Sequence, residues 1–152
     1  MTADAAVDPT ATRAPLLECR GLAAGYGAMA VVRDVDLRVE AGEVVALVGP
    51  NGAGKTTTLL TLAGELPAIA GAVSFHGLAT KSPLFKRARL GMRFVTEERS
   101  VFMKLTTADN LRVAGVPVAD AVEVFHELEP LLGRVAGLLS GGEQQMLTLA
   151  RA

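Results

Sequence analysis

The chain has 152 residues, with 15 Lys and Arg against 16 Asp and Glu, so its formal net charge is -1. That balance excludes a general electrostatic grip on nucleic acid or anionic lipid, and no nucleic-acid partner is expected. Half of the residues are hydrophobic, only 4% are aromatic and none is Trp, which fits a globular domain and excludes a platform for stacked bases.

Residues 1–15 are rich in Ala, Thr, Asp and Pro without periodicity, and are expected to be a disordered tail. A domain is expected over residues 16–152. Leu16–Cys19 and Val31–Val39 are predicted strands, the second alternating Val35, Leu37 and Val39 against Asp34, Asp36 and Arg38. Gly25-Tyr26-Gly27 reads as a turn between them, and Ala41-Gly42-Glu43 as another. Val44–Val48 is an apolar run without alternation, the pattern of a strand buried on both faces of a parallel sheet. A helix is predicted from Thr56 to Ala63, closed by Gly64. Val73–Phe75 is a short strand ending in a turn at His76-Gly77. Residues 83–90 suggest a short basic helix, and Met92–Val95 another buried strand. The cations Lys81, Lys86, Arg87, Arg89 and Arg93, with no acid between them, read as a solvated face. Thr107, with Asp109 and Asn110 behind it, fits a helix cap. Val122, Phe125 and Leu128 give residues 119–128 helical spacing. Ser140-Gly141-Gly142 opens a last helix whose apolar face is marked by Met146, Leu149 and Ala150.

A lone Cys19 excludes an internal disulfide, and with only His76 and His126 beside it a zinc site is excluded too. No apolar run approaches the ~18 residues that span a membrane.

The run Gly49-Pro50-Asn51-Gly52-Ala53-Gly54-Lys55-Thr56 fits G-x-x-x-x-G-K-[ST]. Glycines at this spacing let the loop curl until successive backbone N–H groups face a phosphate, and the following helix adds the positive end of its dipole. Lys55 is placed to neutralise the β and γ phosphates. The Thr56 hydroxyl is placed to bind Mg²⁺, and Thr57 adds another hydroxyl. A nucleotide with Mg²⁺ is the expected ligand, and the loop alone leaves kinases, GTPases and many ATPases open.

Downstream lies Leu139-Ser140-Gly141-Gly142-Glu143-Gln144-Gln145. A capping box explains Ser140 and Glu143 but not two glycines and two glutamines. Together with the phosphate loop, this run resembles the signature sequence of ATP-binding cassette (ABC) ATPases. The resemblance extends from Leu16 to the last residue. It implies an α/β fold: a P-loop NTPase core with a mostly parallel sheet and flanking helices, an N-terminal antiparallel β region, and a small helical subdomain before the signature. It also implies that Tyr26 stacks on adenine. Glu97, in Val95-Thr96-Glu97, falls where the family usually carries glutamine near the γ phosphate, in the loop that links the nucleotide to a transmembrane partner.

Gly25-Tyr26-Gly27, Gly49–Thr57, Glu97–Arg99 with Phe102, and Leu139–Leu147 are similar to the branched-chain amino acid importer subfamily. The chain departs from that pattern at Thr96 and Met103, where Pro is usual, and at Glu98, where Gly is usual. A urea or amide importer matches nearly as well. The implied partners are a second homologous ATPase subunit, joined head to tail, and transmembrane permease subunits. The implied location is cytoplasmic, on the inner face of the membrane. Leu139, Ser140, Gly141, Gly142, Glu143 and Gln144 would act in trans on the partner's nucleotide.

In the family, an apolar strand ending in Asp-Glu and a later histidine follow the signature helix, and this chain ends at Ala152 within that helix. The resemblance therefore implies a C-terminally truncated chain, expected to bind Mg-ATP with little or no turnover. The alternatives are a non-catalytic nucleotide-binding fragment and a soluble ABC protein of repair or translation. A GTPase is disfavoured because the chain has no Asn-Lys-x-Asp run.

Overall fold

The computed structural model describes residues 14–96 and 100–152, and they divide after Met92 into two compact units. Residues 1–13 of the tail expected over residues 1–15, and Glu97 with Glu98 and Arg99, lie outside the described residues.

The first unit is built on a four-stranded sheet in the order β2-β1-β3-β4: β1 Leu17–Tyr26, β2 Met29–Val39, β3 Ala70–Phe75 and β4 Leu78–Ala79. Helix α1, Lys55–Ala63, lies in the connection between β2 and β3, and α2, Leu84–Ala88, follows β4. Cys19, Leu22 and Ala24 of β1, Leu62 of α1 and Val73 of β3 form the buried centre, with Val32, Val35 and Leu37 of β2 against it. Each fully buried leucine here contributes about 2 kcal/mol of hydrophobic stabilisation.

Every ladder in this sheet is antiparallel. The mostly parallel sheet is therefore not seen among the described residues, and the two runs that predicted it are not strands. Val44–Val48 has no regular secondary structure and pairs with no strand, and Val44 and Val48 are 95% and 87% exposed. Neither edge strand, β2 or β4, takes it as a neighbour, so its backbone gains no ladder to fix it. Met92–Val95 is likewise not a strand.

The turn expected at Gly25-Tyr26-Gly27 also moves. Gly25 and Tyr26 belong to β1, Tyr26 pairs with Met29, and the chain reverses at Gly27-Ala28. Gly25 is needed for close approach instead, since a Cβ on it would stand 1.9 Å from Met29 O. The His76-Gly77 turn is as expected, with both residues at positive φ (51° and 74°), the geometry of a tight hairpin between β3 and β4.

The second unit is helical: α3 Thr107–Val113, α4 Val118–Val124, 3-10 turns at His126–Leu131 and Ala136–Leu138, and α5 Gly141–Ala150. Leu111, Ala121, Leu128, Ala136, Leu139 and Leu147 form its core. The cap of α3 is Thr106, one residue before the expected Thr107: its hydroxyl accepts from Asp109 N at 3.1 Å. Thr107 is instead fully buried within the helix. On α5 the buried side chains are Gln144, Leu147 and Thr148; of the predicted apolar face, Met146 and Ala150 are partly buried against this core and Leu149 is exposed.

Candidate functional site

The phosphate loop is positioned by β2 and α1. Ala53 N donates to Pro50 O at 3.2 Å, which starts the curl. Gly54 caps α1 at φ 87°, a left-handed conformation that disfavours any Cβ. A Cβ there would also stand 2.2 Å from Val32 Cγ1. Val32 of β2 thus sets how closely the loop packs on the sheet. The same hairpin carries Tyr26 at its tip, where the residue is 56% exposed.

Lys55 Nζ donates to Gly49 O and Pro50 O, both at 2.9 Å, which folds its ammonium back onto the start of the loop. Thr58 N and Thr58 Oγ1 both donate to Gly54 O, closing the first turn of α1. Thr56 is exposed, whereas Thr57 is buried. The first turn of α1 contains no acid and no side-chain cap. Helix geometry leaves its leading N–H groups without intrahelical partners. Those donors, the dipole and the Lys55 ammonium make a concentration of positive charge on exposed backbone at Asn51, Gly52 and Ala53. This arrangement fits a polyphosphate. Thr56 supplies one neutral oxygen for a hard cation such as Mg²⁺, whose remaining ligands are ordinarily phosphate oxygens and water.

The signature residues divide by burial. Ser140 is the N-cap of α5, its hydroxyl accepting from Glu143 N at 3.3 Å while Ser140 N donates to Glu143 Oε2 at 2.6 Å. The hydrogen bonds from the Ser140 backbone and side chain hold the Glu143 carboxyl below its usual pKa. Ser140, Gly141 and Gly142 are exposed. Leu139 and Gln144 are buried, and Gln144 Nε2 donates to Ala136 O at 3.1 Å and Leu139 O at 3.2 Å. Gln144 therefore braces the turn that presents Ser140. A Cβ on Gly142 would meet nothing within 4 Å.

A model of the ABC transporter family matches residues 32–152. The chain belongs to the ABC transporter family. Among curated ABC relatives, it is 37% identical over 137 residues to the high-affinity branched-chain amino acid transport ATP-binding protein BraG of Pseudomonas aeruginosa, covering 84% of this chain and 59% of BraG. It is also 37% identical over 150 residues to the lipopolysaccharide export system ATP-binding protein LptB of Escherichia coli, covering 90% of this chain and 61% of LptB. The chain thus spans about three fifths of the length of these relatives. An ATP-binding subunit of an ABC transporter superposes with a TM-score of 0.74 at 31% identity, over 90% of this chain and 61% of that one. An ATP-binding cassette solved as a dimer in a post-hydrolysis state with ADP and phosphate shares the fold at 22% identity and TM-score 0.75, over 89% of this chain and 68% of that one.

In this ABC chain, Arg87 was not legible as a structural residue. It is not part of a solvated face: it is 3% exposed, its Nε donates to Ser82 O at 2.7 Å, and Nη1 donates to Leu62 O in the last turn of α1. A cation suits the negative end of that helix. Burial pushes its pKa below the usual value. The only sequence signal was a cation two residues before Arg89 on a five-residue helix, which leaves the opposite face to meet α1.

Proposed function

We propose that this chain is the nucleotide-binding portion of an ATPase subunit that drives an ABC transporter by binding and hydrolysing Mg-ATP at the cytoplasmic face of the membrane. The observation that carries this reading is the uncapped start of α1 with Lys55 folded onto Gly49 O and Pro50 O. In this reading the backbone of Asn51–Lys55 cradles the phosphates, Lys55 spreads their charge, Thr56 holds Mg²⁺, and Tyr26 stacks on the adenine. Glu97 approaches the γ phosphate. Positioned charge of this kind is what phosphoryl transfer to water requires, together with an oriented water.

The second half of the reading is a head-to-tail pair, in which Ser140, Gly141 and Gly142 of one subunit close over ATP held by the other. The openness around Gly142 supports it: among the described residues nothing lies within 4 Å of a Cβ placed there, which leaves room for a group approaching from outside. Closure moves the permease subunits, and hydrolysis reopens the pair.

The cargo we propose is branched-chain amino acids or related small solutes, as the likeness to BraG suggests. Lipopolysaccharide export is a second reading, favoured by the equal identity to LptB over more of the chain. The test is uptake of labelled leucine by cells lacking the gene, complemented with parent or Lys55→Ala. Uptake restored only by the parent supports import. Normal uptake in the deletion strain excludes it.

A further inference from the structure

We infer that Arg151 is a positioning residue: it locks the Ser100–Phe102 segment to the far end of the signature helix, so that Ser140 and Phe102 move as one body. The inference rests on the reading of Ser140–Gly142 as the contact to a partner's nucleotide.

Helix α5 has ten residues, about 15 Å of rise, with Ser140 capping one end and Arg151 the other. The Arg151 guanidinium reaches three different groups. Its Nε donates to Asn110 O at 3.2 Å, its Nη1 donates to Ser100 O, and its Cζ lies 4.9 Å from the centre of the Phe102 ring. Asn110 is fully buried and completes the clamp. Its Nδ2 donates to Phe102 O at 3.0 Å and its Oδ1 accepts from Phe102 N at 2.8 Å. Both backbone groups of Phe102 are thus held by the side chain of Asn110, whose backbone carbonyl accepts from Arg151.

A second tie runs from the other end of α5. Gln144 donates to Ala136 O, Ala136 N donates to Leu105 O at 2.8 Å, and Gly137 N donates to Met103 O at 2.9 Å. The segment from Ser100 to Leu105 is therefore fastened near both ends of one helix. Phe102 and Met103 remain half-exposed at its surface. Only a planar fork can serve two carbonyls and one ring face together, so lysine is a poor replacement for Arg151. Releasing Arg151 leaves the Lys55 loop intact but frees α5 to tilt, and the Ser140 end then meets the partner's nucleotide in the wrong place.

The test uses the subunit assembled with its permease, as parent, Arg151→Lys and Phe102→Leu. ATP affinity of the separate subunit is measured beside KM and kcat of the assembly. The expected result for Arg151→Lys is an ATP affinity and KM within about twofold of the parent and a kcat lower by about tenfold, the effect of losing one charge-assisted hydrogen bond in the closed state. Phe102→Leu should reduce kcat in the same manner, and the double variant should lose less than the product of the two. If Arg151→Lys fails to fold, Phe102→Leu alone decides through the same split between KM and kcat. Unchanged kcat, or affinity and kcat falling together, overturns the role of Arg151. An assembled parent that hydrolyses no ATP removes the underlying reading and the inference with it.

Discussion

The guanidinium of Arg87 fills the space that a side chain on Gly64 would need. A Cβ on Gly64 would lie 2.8 Å from Arg87 Nε, 2.9 Å from Cζ and 2.6 Å from Ser82 O. Gly64 also sits at φ 89°, where it ends α1 with its N–H directed at Leu60 O and Thr61 O. Backbone conformation and packing therefore both demand glycine. Gly64→Ala is expected to destabilise the first unit by roughly 2 to 4 kcal/mol, read as a lower urea midpoint at unchanged slope. Arg87→Ala should cost a comparable amount, because it strips the donors from Leu62 O and Ser82 O. Arg87→Lys should recover only part of it.

Two glycines of the site should respond in opposite ways. Gly54→Ala places a methyl group against Val32 at a positive φ, and is expected to lower both stability and ATP affinity. Gly142→Ala meets open space within a helix, so its stability should stay within about 1 kcal/mol of the parent, on the stabilising side. Its loss should appear only in the turnover of paired subunits. A Gly142→Ala chain that unfolds early would contradict the placement of that residue.

The Ser140–Glu143 capping box predicts an acid-sensitive helix start. Hydrogen bonds hold the Glu143 carboxyl below its ordinary value in the folded chain. Its contribution is therefore fully present above the unfolded value, about 4.3, and is lost as pH falls through the lower folded value. Urea midpoints of the parent should drop between about pH 7 and pH 3 by more than those of Glu143→Gln, which keeps a capping partner that does not titrate. Equal drops in the two proteins would show that Glu143 does not contribute.

Local rules carried what was legible in the sequence. The helix from Lys55 to Ala63, its end at Gly64 and the Ser140 cap each depend on three or four neighbouring residues, and each stands where the pattern placed it, within one residue. Strand identity is different, because a strand exists only when another backbone completes its ladder. Val44–Val48 has the composition of a central strand, yet it pairs with none of the described strands. The glycines flanking Tyr26 point to a turn centred on it. One of them answers the approach of Met29 O instead, and the turn comes a residue later. Arg87 and Arg151 were missed for a common reason: a cation reads as solvated until the carbonyls that receive it are known.

The central claim is that the Gly49–Thr56 loop holds the phosphates of Mg-ATP. The most direct test is calorimetric titration of the 152-residue chain with ATP, with and without Mg²⁺, beside Lys55→Ala. Saturable binding that strengthens with Mg²⁺ and weakens at least about tenfold in Lys55→Ala is the predicted result. Absence of binding in a folded parent, or binding that Lys55→Ala leaves unchanged, would contradict it.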